Sequence, residues 1–180
     1  MRISLPAGVS GLKNYITVAA AAAVMLVCGG GCDSVDDNRL PYAEVHLTFH
    51  TVGDWNIYGV KGDAADYRTY IFNPPAEKVP SDFPYTVLDR TGYGGLLLVT
   101  DVLGNLVAYD LACPYEARPT IRVRVPDGEL FAECPDCGST YDIFTNHGMP
   151  RSGPAADRGY SLTRYSVVSG GATEYKVVTR

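Results

Sequence analysis

The chain has 180 residues, of which 46% are hydrophobic and 19% charged, and its formal charge is -5. That length suits one modest domain rather than two, and the apolar share is enough for a core. Twenty acidic residues against 15 Lys and Arg argue against a nucleic-acid partner, which needs a basic footprint.

The N-terminus carries an address. Arg2 and Lys13 give a positive start, and Tyr15 to Val27 is an uncharged run of 13 residues. A bilayer span needs about 20 apolar residues, so this run has the length of a signal-peptide core instead. Gly29-Gly30-Gly31-Cys32 follows, then the acidic stretch Asp33 to Asn38. Small residues directly before a cysteine resemble the lipobox of bacterial lipoproteins, in which the cysteine is acylated and becomes the mature N-terminus. The family prefers Leu where this chain has Gly29, and bulky Leu26 and Val27 make Cys28 the poorer site. The resemblance implies a signal peptide over residues 1–31, a lipid on Cys32, a tether over 32–41 and a membrane partner. Removing residues 1–31 takes away two positive charges, moving the chain from -5 to -7. Acidic residues after the cysteine resemble the export tag of some outer-membrane lipoproteins, which implies a bacterial cell envelope location.

The rest, residues 42–180, reads as one all-β domain. Nineteen Gly, 12 Pro and 13 Tyr favour short strands and turns over a helical bundle. Val45 to Phe49 and Tyr67 to Phe72 alternate, as half-buried strands do. Asn73 to Pro84, with four prolines, reads as an irregular surface excursion. Gly95 to Thr100 is a short continuous apolar run, the pattern of a strand buried on both faces. Leu103 to Leu106 is a turn, and Val107 to Asp110 a further strand. Thr120 to Val125 alternates strictly before the turn Pro126-Asp127-Gly128-Glu129. Tyr141 to Phe144, Leu162 to Val168 and Glu174 to Thr179 complete the strands, with Ser169 to Ala172 as the last hairpin loop. No stretch beyond Cys32 keeps a helical period for three turns. The spacing of turns predicts an antiparallel sandwich or barrel.

Three further cysteines stand as Cys113-Pro114-Tyr115 and, 18 residues on, Cys134-Pro135-Asp136-Cys137-Gly138-Ser139-Thr140-Tyr141-Asp142. Each segment follows a predicted strand and opens a Pro- or Gly-containing loop, a usual device for bringing ligands to one point. The arrangement resembles the Rieske iron–sulfur proteins. Their pattern is Cys-x-His, then Cys-x-x-His-Gly-Ser-x-Tyr/Phe-Asp, a Gly-Pro-Ala loop and a strand with Leu-x-x-Tyr. Cys134, Gly138, Ser139, Tyr141 and Asp142 match the second loop. Gly153-Pro154-Ala155 matches the covering loop, and Leu162 to Val167 the closing strand. The resemblance covers residues 95–168 and implies a Rieske-like barrel with a two-loop cluster subdomain. It implies hydrogen bonds from Ser139 and Tyr141 toward cluster sulfurs.

Both ligand histidines are replaced, by Tyr115 and Cys137. The resemblance therefore implies a scaffold with altered ligands. The leading expectation is no cofactor, with a disulfide joining Cys113 to Cys134 or Cys137 and a shielded third thiol. A [2Fe–2S] cluster on three thiolates and the Tyr115 phenolate comes next; zinc on the three thiolates and His147 comes third. The corresponding functions are a binding, structural or accessory module of the envelope and an electron carrier. A further envelope protein or redox partner fits either. His46 and His50 lack a serine–carboxylate partner and read as exposed strand residues. Trp55 and Tyr58 read as rim or core packing. Gly92-Tyr93-Gly94-Gly95 precedes no phosphate-loop helix. No hydrolase constellation is present.

Overall fold

A computed structural model of the chain describes residues 38–63, 65–73, 77–79, 82–170 and 175–180. The signal segment, Cys32, the tether up to Asp37 and the loop positions Gly171 and Ala172 lie outside these residues. The end of the expected tether is already part of the body. Leu40 is buried, and the Arg39 guanidinium lies 5.3 Å from the centre of the Tyr160 ring.

The protein is all-β. Its main sheet has eight strands: β1 (Val45–Phe49), β2 (Tyr67–Asn73), β3 (Glu77–Val79), β4 (Arg90–Thr91), β5 (Leu96–Thr100), β6 (Leu106–Asp110), β10 (Arg164–Ser169) and β11 (Lys176–Thr179). They lie in the order β3-β2-β5-β6-β10-β11-β1-β4, with every pairing antiparallel. The sheet curls until its ends nearly meet. The Phe72 N–H donates to Thr91 Oγ1 at 3.0 Å, tying β2 to β4. Such closure removes most of the exposed edge that an open sheet would present.

A smaller antiparallel sheet, β7 (Ala132–Glu133), β8 (Thr140–Asp142) and β9 (Met149–Ser152), is inserted between β6 and β10. The apolar run of β5 explains how the two parts join. Leu96 and Leu98 point into a core with Leu47, Phe49, Tyr70 and Val178. Leu97 and Val99 point to the other face, into a second core with Tyr109, Cys113, Cys134, Tyr141 and Leu162. Strand neighbours alternate in direction, so one strand supplies both cores.

Several expectations need correction. Thr120 to Val125 alternates as read, with Ile121 and Val123 buried, but it forms no continuous strand. Val123 N–H bonds to Leu111 O at 2.8 Å, whereas Arg124 exchanges bonds with Glu133. Its backbone groups thus serve two different neighbours. The proline-rich excursion contains β3, and Phe83 within it is buried among Phe49, Tyr58 and Tyr70. Tyr141 to Phe144 stays a strand only through Asp142, whose carboxylate accepts from Thr145 and Asn146 N–H and turns the chain.

Two short helices are present among the described residues. α1 (Val52–Tyr58) begins at a reciprocal cap: Thr51 Oγ1 accepts from Asp54 N–H, and Asp54 Oδ2 from Thr51 N–H, both at 3.0 Å. α2 (Pro154–Arg158) starts with Pro at its first position and ends at Gly159 in the left-handed conformation. Neither reaches three turns. No helix among the described residues is long and apolar enough to cross a membrane.

Candidate metal or thiol site

The first cysteine loop leaves β6. Cys113 N–H donates to Ile121 O at 2.9 Å, and Ala117 N–H donates to Cys113 O at 2.8 Å. The second loop leaves β7. Cys134 N–H donates to Ser139 O at 2.9 Å, and Gly138 N–H closes onto Cys134 O at 3.0 Å. Gly138 has φ +68, a conformation that costs any other L-residue free energy. Arg118 of the first loop lies 3.7 Å from the Asp136 carboxylate of the second. These ties bring two separate segments tip to tip.

Three sulfurs meet there. Cys113, Cys134 and Cys137 place their Sγ atoms within 4.8 Å of one another, and Cys113 and Cys137 stand 3.7 Å apart. Cys113 and Cys134 are fully buried, while Cys137 reaches the surface. Their sulfurs stand at non-bonded separations, a disulfide needing about 2.05 Å.

Gly153 and Ala155 lie against Ser139 of the second loop. Gly153 has φ +79, and a Cβ there would stand 2.8 Å from Ser139 Cα. That close approach lets Ala155 N–H donate to Ser139 Oγ at 3.0 Å. The Ser139 hydroxyl lies 3.2 Å from Cys137 Sγ, and the Tyr141 hydroxyl 3.3 Å from Cys113 Sγ. Ser139 and Tyr141 therefore touch the sulfurs, and Gly153 packs on Ser139.

These contacts set the thiols apart. Burial pushes the Cys113 thiol up, although the Tyr141 hydroxyl pulls against it. Burial pushes Cys134 up to about 12. Burial also acts on Cys137, but hydrogen bonds with the Ser139 hydroxyl and backbone, and with the two other thiols, outweigh it and hold Cys137 below the ordinary thiol range. Cys137 is the natural thiolate of the group.

Two other candidates are not brought in. Tyr115 is 37% exposed, and the sulfurs make their side-chain hydroxyl contacts with Ser139 and Tyr141 instead. His147 lies at a shallow depression with Val107, Arg164 and Ser166, outside the group of converging ligands. It follows the Asp142 turn, takes φ +52 and is exposed. The zinc set that included His147 is therefore corrected.

A Rieske cluster binds its two ligand pairs on different irons, with sulfides between them. Three sulfurs grouped this tightly do not straddle such a core, and the fourth position offers no imidazole. The donor set does not fit a [2Fe–2S] cluster.

The remaining sequence features are structural. Trp55 packs edge-on against Phe49 and Tyr58 against Phe83, both at the margin of the barrel core. His46 pairs with Thr48 Oγ1 at 3.1 Å, and His50 is exposed. Sequence reasoning passed over Arg118 and its approach to Asp136, which only the folded loops bring together.

Fold and site together define an all-β protein with a buried three-cysteine cluster carried on two apposed loops. No protein-family model, curated protein or solved structure matches the chain.

Proposed function

We propose that this chain is a Rieske-like lipoprotein of the bacterial cell envelope, anchored to the outer membrane through a lipid on Cys32. Its cluster loops serve as a thiol site in a binding, structural or accessory module rather than an electron carrier. One observation carries the reading: Cys113, Cys134 and Cys137 converge beneath Gly153-Pro154-Ala155, with cysteine where the resembled family needs imidazole. The covering contact through Ser139 and the Tyr141 hydroxyl on Cys113 support the Rieske-like part. The 13-residue apolar run before Gly29-Gly30-Gly31-Cys32 supports the anchor. Fold alone does not fix chemistry, so the altered ligand set is what favours the binding or structural module over the electron carrier.

The test is the visible spectrum of full-length protein purified without air. A colourless protein lacking acid-labile sulfide is expected. A red-brown chromophore bleached by dithionite would instead make it an electron carrier.

A further inference from the structure

A ring of three thiols with no imidazole or carboxylate among them selects thiophilic metals. Size narrows the choice further. Zinc–thiolate bonds of about 2.3 Å set the edge of a tetrahedron at about 3.8 Å. The Cys113–Cys137 separation is 3.7 Å, and all three pairs fall within 4.8 Å. One ion fits at the centre of these sulfurs without unfolding either loop. Two irons with their sulfides do not.

We propose that Cys113, Cys134 and Cys137 form a mononuclear trithiolate zinc site whose fourth position is taken by water. Cys113 and Cys134 close the inner side, because both are fully buried in the second core with Ala155 and Tyr141. Cys137 is the sulfur that reaches solvent, so the remaining coordination position opens on its side. Three protein ligands and an open fourth place are the layout of zinc sites that bind an exchangeable ligand. Ser139 and Tyr141 hold hydrogen bonds to two of the sulfurs, the outer support such sites require. Binding Zn2+ breaks S–H bonds and forms Zn–S bonds, and up to three protons pass to buffer. No electron is transferred. The inference uses only the positions of the sulfurs and stands apart from the Rieske-like and membrane-anchor readings.

Cobalt(II) is the probe, because it occupies zinc sites and reports its geometry by absorption. Full-length protein, fully reduced and free of air, is titrated with Co2+ and then with Zn2+. The expected result is saturation at one cobalt per chain, with tetrahedral bands in the visible and a thiolate charge-transfer band in the near ultraviolet. One equivalent of Zn2+ should abolish both. Cys137→Ser should lower the charge-transfer intensity by about one third, as one of three thiolates is lost. Its fold is checked by circular dichroism, and the wild-type titration decides the matter even if that variant misfolds. Pale octahedral cobalt, or no saturation at one equivalent, overturns the proposal. So does reconstitution with two irons and acid-labile sulfide, which would also overturn the reading as a non-electron carrier.

Discussion

The Tyr165 hydroxyl donates to Asp110 Oδ2 at 2.7 Å, joining β10 to β6 across 55 residues of sequence. The same buried carboxylate accepts N–H groups from Tyr93 at 2.7 Å, Gly94 at 2.9 Å and Ala112 at 2.8 Å. The glycine-rich turn thus cradles the protein's own carboxyl group, whose pKa burial pushes up against these donors. A Cβ on Gly92 would stand 2.6 Å from Asp110 Oδ2 and 2.8 Å from the Tyr165 hydroxyl. Tyr165→Phe should cost about 1.5–3 kcal/mol, the worth of a hydrogen bond to a charged group. Asp110→Asn should cost about 3–5 kcal/mol, because an amide NH2 would face backbone donors in a buried site. Urea unfolding checks both. An Asp110→Asn variant as stable as wild type would show that this carboxylate does not organise the turn.

How much of this was legible in the sequence depended on the range of each interaction. The apolar run Leu96 to Val99 announced a strand buried on both faces, and it is the strand shared by the two cores. The two cysteine loops and their cover could be read because Cys134 to Asp142 and Gly153 to Ala155 keep fixed spacings. α1 escaped notice because two turns are too short for a helical period, although Thr51 and Asp54 stood at the spacing of a reciprocal cap. Burial of Phe83 was hidden because prolines around it spell surface loop, while its partners Phe49 and Tyr70 are distant in sequence. Near-closure of the barrel by Phe72 and Thr91 is likewise a non-local fact. Asp110 looked like an ordinary strand end, since its donors come from elements that only the fold assembles.

The three thiols should differ sharply toward alkylation. Cys137 reaches solvent and is held below the ordinary thiol range by hydrogen bonds that outweigh its burial, whereas Cys134 is buried and pushed up to about 12. At neutral pH Cys137 therefore carries the larger thiolate share. Iodoacetamide on the reduced, metal-free native chain should label Cys137 first, with Cys113 and Cys134 following only as the protein opens. Peptide mass spectrometry over a time course reads the order. Equal labelling of all three would contradict the buried placement.

Asp142 links the end of β8 to acid stability. Burial alone would raise its pKa, but hydrogen bonds from the Thr145 hydroxyl and backbone, and from Asn146 and Phe144 N–H, outweigh this and hold it below 3.8. A carboxylate depressed in the folded state contributes stability that is complete above its unfolded value of about 3.9. That contribution drains away as the pH falls through the folded value. Asp142→Asn should therefore cost about 1–2 kcal/mol at pH 7 and converge toward wild type in strong acid. Unfolding measured from pH 7 down to 2 checks the sign. A gap between variant and wild type that widens below pH 4 would reverse it.

The anchor is tested without reference to the fold. If Cys32 is acylated, the mature chain begins there and lacks Arg2 and Lys13. Mass spectrometry of the membrane fraction should find a diacylglyceryl-modified Cys32, and Cys32→Ala should leave the precursor unprocessed. A mature chain that still carries Met1, or starts unmodified, rules the anchor out.

Gly153 and Gly138 separate the cost of backbone conformation from the cost of close approach. Both have positive φ, +79 and +68, so alanine at either site should lose about 1–2 kcal/mol. Only Gly153 has a neighbour in the way: its Cβ would meet Ser139 Cα at 2.8 Å, whereas a Cβ on Gly138 meets nothing within 4 Å. Gly153→Ala must therefore push the covering segment outward. That movement breaks the Ala155 bond to Ser139 Oγ, which now measures 3.0 Å. Gly138→Ala should unfold at a lower denaturant concentration yet keep Cys113 and Cys134 slow to alkylate. Gly153→Ala should be the less stable of the two and expose both buried thiols to iodoacetamide while the fold is still native by circular dichroism. If the two variants alkylate alike, Gly153-Pro154-Ala155 is not what shields the sulfurs.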